Sequence, residues 1–241
     1  MASKKQGTKK EEGKSLKSKN TVKTIDQMTV ARQIAEKFGF KLSDILAVIE
    51  EEQKLTMEYA KMGYKVIKKN YVGKDMANYD ATLVLSHFKG HPMGGYGGAL
   101  KQLSIGFASS YGKGYIHGVG DPAHFWDRDQ DSFLEAMADA AWSGGGFFKG
   151  NAVYVNVMKN ISVDCDCCAT AEDPCMADVG ILISEDPVAI DQACLDLVYA
   201  STDPGRDHLL ERIESRHGVH TIETAVKLGI GTREYDLIRI P

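Results

Sequence analysis

Ala81-Thr82-Leu83-Val84-Leu85-Ser86, followed at once by His87-Phe88-Lys89-Gly90-His91-Pro92-Met93-Gly94-Gly95-Tyr96-Gly97-Gly98-Ala99-Leu100-Lys101, decides the fold class. An apolar run this short reads as a buried strand, and the glycine-rich turn behind it opens a helix from about Ala99. The same alternation continues downstream. Ala152 to Val157 and Val179 to Ile183 read as further central strands, and Tyr235 to Ile240 as a last one. Asp131 to Trp142, Val188 to Tyr199, Asp207–Arg216 and Thr221–Leu228 read as helices. Strands alternating with helices predict an α/β domain over residues 73–241, with a mostly parallel sheet covered by helices on both faces.

Upstream the chain changes character. Residues 1–73 hold 16 Lys+Arg against 9 Asp+Glu, whereas residues 74–241 hold 13 against 24, so a net charge of −4 conceals a basic segment joined to an acidic body. Residues 1–23 contain eight lysines and almost nothing apolar. Such a stretch cannot bury enough surface to offset chain entropy and is expected to be disordered. It serves either as a solubilising tail or as an electrostatic arm, with Lys4, Lys5, Lys9 and Lys10 on phosphate backbones in weak, non-specific nucleic-acid binding. Thr29 suits the N-cap of a helix from Val30 to Phe38 that Gly39 stops. A longer helix is predicted from Ser43 to Met62, with Ile45, Val48, Ile49, Leu55, Tyr59 and Met62 as its apolar stripe, and then a strand from Tyr64 to Lys68. Two helices and one strand cannot close a core, so residues 24–72 need a partner chain or the rest of the protein.

Ile34-Ala35-Glu36-Lys37-Phe38-Gly39-Phe40, Asp44-Ile45, Val48-Ile49 and Gly63-Tyr64-Lys65-Val66 resemble the start of bacterial HU/IHF-type histone-like proteins. That resemblance implies a homodimer through residues 28–66 and a nucleoid-associated, non-enzymatic DNA-binding role. The family's Gly-Phe-Gly turn and its Arg- and Pro-containing arm have no counterpart after Val66, so dimerisation carries over better than DNA binding.

Two constellations downstream carry chemistry. The glycine-rich segment follows a strand's carboxyl end, where ligands bind in parallel α/β sheets. Gly94, Gly95, Gly97 and Gly98 allow close backbone approach, and the new helix offers unpaired N–H groups. Lys89 and Lys101 add positive charge, while His87 and His91 could ligate a metal or act as acid and base. Together they suit a small anionic ligand or cofactor. Leu100 replaces the third glycine of a dinucleotide fingerprint and there is no Gly-Lys-Ser/Thr of a P-loop, so the ligand stays unspecified. A glycine-rich packing turn explains the same residues.

The second constellation is Val163-Asp164-Cys165-Asp166-Cys167-Cys168 with Cys175: four of five cysteines lie within eleven residues, among Asp164, Asp166, Glu172 and Asp173. Dense thiols and carboxylates fit a transition metal or an iron–sulfur cluster, a redox or nucleophilic cysteine, or inert buried thiols. Cys165 and Cys167 share a face of an extended backbone, and Cys168 joins them only through a turn. Cys194, in the apolar pattern Ile190 to Val198, reads as core. Asp186 and Pro187 read as the N-cap and first residue of a helix, with Asp191 either facing the site or serving the helix dipole.

Ser86 to His91 with Gly94 to Lys101, Asp164-Cys165-Asp166-Cys167, Asp186-Pro187-Val188-Ala189-Ile190-Asp191-Gln192-Ala193-Cys194 and Glu211-Arg212-Ile213-Glu214-Ser215-Arg216 recur in order in proteins of the domain-of-unknown-function family 362. Residues 70–240 resemble that family, often labelled iron–sulfur-centre proteins. The resemblance implies a metal or iron–sulfur role centred on Cys165 and Cys167, which match its Cys-Asp-Cys. Relatives usually have a further N-terminal α/β portion, and many carry a run of four regularly spaced cysteines. This chain lacks that run, so an intact ferredoxin-type [4Fe–4S] site is not expected. No apolar run approaches the roughly 18 residues of a membrane span, and no apolar stretch follows the lysine-rich start, so a soluble cytoplasmic protein is expected.

Overall fold

The computed structural model describes residues 66–148 and 150–240, the strand 56–59 and residues 32, 36, 39 and 41–43. The chain divides into two compact units, Met1–Leu46 and Ala47–Pro241. The lysine tail, with Lys4, Lys5, Lys9 and Lys10, and most of the HU-like stretch lie outside the described residues. Arg32 and Glu36 are helical and Gly39 adopts φ 71°, as expected of a helix that glycine stops.

The first described element of the second unit is β1 (Thr56–Tyr59), paired antiparallel with β2 (Asn70–Gly73). Thr56–Tyr59 was expected to be helical, inside Ser43–Met62. The ladder with β2 takes those residues instead, so the apolar stripe does not continue along one helix to Met62. The strand expected at Tyr64–Lys68 also differs, since residues 66–69 bend. The amides of Val66 and Ile67 turn inward to donate to Asp139 Oδ2 at 2.6 and 3.0 Å, and amides spent there cannot join a ladder. Pairing starts at Asn70, whose side chain donates to Ser143 Oγ at 2.7 Å.

The central sheet has three strands, ordered β3 (Thr82–His87), β6 (Ala152–Met158), β7 (Gly180–Ser184). Between β3 and β6 come the small hairpin β4 (Lys89–His91) and β5 (Gly95–Gly97), α1 (Ala99–Lys101, continued by a π-helical turn Gln102–Gly106), α2 (Ser110–His117) and α3 (Gln130–Phe147). After β7 come α4 (Pro187–Ala200), α5 (Arg206–Ser215) and α6 (Val219–Lys227). Strands β3 and β6 run parallel because helices carry the chain back between them. The segment from β6 to β7 contains no helix, so β7 returns antiparallel. The sheet is therefore mixed, not mostly parallel.

One face of the sheet is covered. Val84, Tyr154 and Met158 point into a core shared with Leu100, Leu103, Val188, Ile190 and Leu195. The other face was expected to be covered too, but Leu83 (63 % exposed), Leu85 (60 %), Ile181 (59 %) and Ile183 (69 %) meet no cover among the described residues. Tyr235–Ile240, expected as a last strand, joins no ladder. Side-chain contacts hold the segment leading into it: Arg233 Nε donates to Gln192 at 2.7 Å, and Tyr235 Oη donates to Asp196 at 2.8 Å. No described helix is long and apolar enough to cross a membrane.

Candidate metal centre

The carboxyl ends of β3 and β6 meet beside the cysteine segment, and one glycine sets how closely. Gly90 in β4 donates to Ser162 O at 2.8 Å, and a Cβ at that position would lie 2.1 Å from Val163 O. Only glycine allows the hairpin to lie against residues 162–163, which brings His91 to the thiols. A turn then folds Cys165 to Cys168, with Cys168 N donating to Cys165 O at 2.8 Å and Cys167 N to Cys165 Sγ at 3.5 Å. The ligand atoms of His91, Cys165 and Cys167 all fall within 4.8 Å of one another. His91 and Cys165 are buried and Cys167 is exposed, so this arrangement could hold a metal that reaches the surface on the Cys167 side.

The remaining candidates take other places. Cys168 and Cys175 stand outside this group, and Cys175 Sγ donates to Ile161 O at 3.3 Å. His87 and Lys89 converge on Asp166, at 3.1 Å from Nδ1 and 2.5 Å from Nζ, and His87 Nε2 lies 2.7 Å from Lys159 O. Asp164 is clamped by Arg212 at 3.0 Å and accepts from Glu172 N, and the Arg212 contact leads in holding its pKa below the usual carboxylate range. The carboxylates flanking the two cysteines thus have partners of their own and fix the loop.

The amides at the helix start at Ala99 are not open to a ligand anion, because the chain supplies an anion itself. Asp191 Oδ1 accepts from Ala99 N at 2.7 Å and Oδ2 from Leu100 N at 3.0 Å. Asn156 Nδ2 (2.8 Å) and Tyr96 Oη (3.3 Å) donate to the same carboxylate. Gly98 makes room for it, since a Cβ there would come within 2.4 Å of Asp191 Oδ1. The dipole that Asp191 serves belongs to α1, not to its own helix α4. Gly95, at φ 80°, packs on Gly218, while Gly94 donates to His91 and Gly97 lies between the stems of Lys89 and Lys101. Asp186 caps α4 as expected, accepting from Val188 N and Ala189 N with Pro187 next, and Cys194 is buried in the core.

Electrostatics decide which chemistry the group supports. Burial, and then Lys101, His117, Lys89 and Arg212, push His91 down to about 3, so its imidazole is neutral at physiological pH. Burial, and then the neighbouring Cys165 thiol, push Cys167 up to about 11. A thiol held that high is a poor nucleophile at neutral pH, while a cation among the three groups would draw off its proton. His91 Nδ1 accepts from Met93 N (3.2 Å) and Gly94 N (2.9 Å), so the neutral ring carries its proton on Nε2, which can take an ion once that proton moves to Nδ1. Arg212 and Asp191 carry more of this geometry than their local sequence implies. Their signal lay in the Glu211–Arg216 and Asp186–Cys194 stretches.

No curated protein and no solved structure matches the chain. The model of one family does, over residues 12–196, beginning well before residue 70 and covering the β4–β5 hairpin, the cysteine turn and Asp191. The chain belongs to that family, described as a domain of unknown function, DUF362.

Proposed function

We propose that this protein holds a soft transition metal between Cys165, Cys167 and His91 and uses the site to bind a small anionic ligand. The observation that carries the proposal is the convergence of these three ligand atoms within 4.8 Å from two separate stretches of chain. Two thiolates and one neutral imidazole are the donors of zinc and other borderline-soft ions, and three protein ligands leave a fourth position open. Iron–sulfur clusters ask for four thiolates, or two histidines in place of two of them. The group among the described residues offers two thiols and one imidazole, so a mononuclear ion fits it better than a cluster. Lys101, half-buried beside both thiols, supplies the attraction for the anion.

The test is anaerobic purification followed by elemental analysis and visible absorbance. A stoichiometric soft metal that is lost in Cys165→Ser and His91→Ala is expected. A colourless, metal-free protein that fails to take up added Zn2+ or Co2+, with Cys165→Ser behaving as the wild type, would sink the proposal.

A further inference from the structure

Charge around the cysteine turn is unevenly settled. Lys89 is neutralised by Asp166 and Arg212 by Asp164. The amino groups of Lys101 and Lys113 have no hydrogen-bond or ion-pair partner among the described residues. Yet Lys101 is half-buried, within electrostatic reach of Cys165, Cys167, Lys89 and Lys113, and its stem crosses Gly97 beside that of Lys89. Burying an ammonium without a partner is costly, and burial lowers the pKa of Lys101, so an anion placed beside it would recover that cost. The carboxylates bound to α1 and to Lys89 are already engaged. Asp191 is spent on Ala99, Leu100 and Asn156, and Asp166 is held by Lys89 and His87.

A divalent ion with two thiolates and a neutral imidazole carries no net charge. Lys101 then remains as an unmatched positive charge beside the two thiols, with the exposed Lys113 within electrostatic reach of Lys101. We infer that the open coordination position takes a small dianionic oxyanion of the phosphate class, bridging the metal and Lys101, with Lys113 contributing from the rim. The inference rests on the metal proposal above. It goes further in naming the ligand's charge and geometry: two charges to balance and several oxygens, so that one can reach the ion while another accepts from Lys101. A monocarboxylate or a halide satisfies only one of those demands.

The full chain, loaded with Co2+ under reducing, anaerobic conditions, reports both steps in one spectrum. Thiolate-to-cobalt bands show that the metal is held, and their shift shows a change of the fourth ligand. Inorganic phosphate is the probe, methyl phosphate distinguishes an ester from the free ion, and acetate and chloride are the controls. Saturable shifts with phosphate or methyl phosphate are expected at concentrations where acetate and chloride do nothing. Lys101→Met should weaken phosphate about 10- to 100-fold, the worth of one charge-assisted hydrogen bond. Lys113→Gln, on an exposed helix position, should weaken it by a smaller factor and serves if Lys101→Met does not fold. Band intensity in each variant separates loss of metal from loss of anion. Cobalt bands that phosphate leaves unmoved, or that acetate moves equally well, would overturn the dianion and leave the metal proposal standing. Absence of the bands altogether would overturn both.

Discussion

Replacing Asp191 perturbs the framework of the site without touching a metal ligand. Its buried carboxylate accepts four hydrogen bonds that join α1, β5 and β6 to α4. Asp191→Ala leaves two buried amides, one amide side chain and one phenol without their acceptor. At about 1–3 kcal/mol for each orphaned group, with partial relaxation, the loss should be about 3–5 kcal/mol. For a body of this size that lowers Tm by about 10 °C. Asp191→Asn behaves differently. Burial is the main cause that raises Asp191 from 3.8 to about 6, and the four donors only partly oppose it. Two units correspond to about 3 kcal/mol. The sign follows from proton counts: between about pH 4 and 6 the folded protein keeps a proton that the unfolded chain has lost. This contribution is therefore complete below pH 4, falls as pH rises through 6, and is absent above it. An asparagine never ionises, so the stability of Asp191→Asn relative to the wild type should rise by about 3 kcal/mol from pH 4 to 7 and then level off. Asn156 Oδ1 has no hydrogen-bond partner among the described residues and can accept from the new amide after a flip. Urea unfolding of both proteins at several pH values reads the difference directly, free of the other carboxylates they share. A constant difference across that range, or an Asp191→Ala protein as stable as the wild type, would refute the assignment.

Metal loading should release protons in a countable way. His91 Nδ1 accepts from Met93 and Gly94, so an ion on Nε2 needs the ring proton to move to Nδ1 and those two contacts to open. The two thiols lose their protons and the imidazole binds neutral, so about two protons should leave per ion, against about three if an imidazolate forms; calorimetry in buffers of different ionisation enthalpy counts them. Light scattering should give a dimer mass for the full chain and a monomer mass for a chain lacking residues 1–46, and equal states would remove residues 28–46 from the interface. Gel shifts should show weak, sequence-independent DNA binding through Lys4, Lys5, Lys9 and Lys10 that disappears by roughly 200 mM salt, and complexes that survive such salt would contradict a phosphate-only contact.

Much of the body was readable because local signals there agree with tertiary demand. The apolar runs Thr82–His87 and Ala152–Met158 are strands, and Asp186-Pro187 opens α4 where capping chemistry places it. Cys165 and Cys167 were recognisable as a pair from their spacing. Long-range contacts decided the rest. Thr56–Tyr59 satisfies a helical period, yet its amides and carbonyls pair with β2, and periodicity in a short apolar run cannot anticipate a ladder partner many residues away. The direction of β7 depended on whether the 159–179 segment formed a helix, and its cysteine turn formed none. The anion at the start of α1 turned out to be Asp191, 92 residues from Ala99, and no local pattern links the two. Residue types and their spacing were enough to set the donor chemistry of this site. Which donors meet was settled by Gly90, whose missing side chain lets β4 lie on Val163 and carries His91 to the thiols.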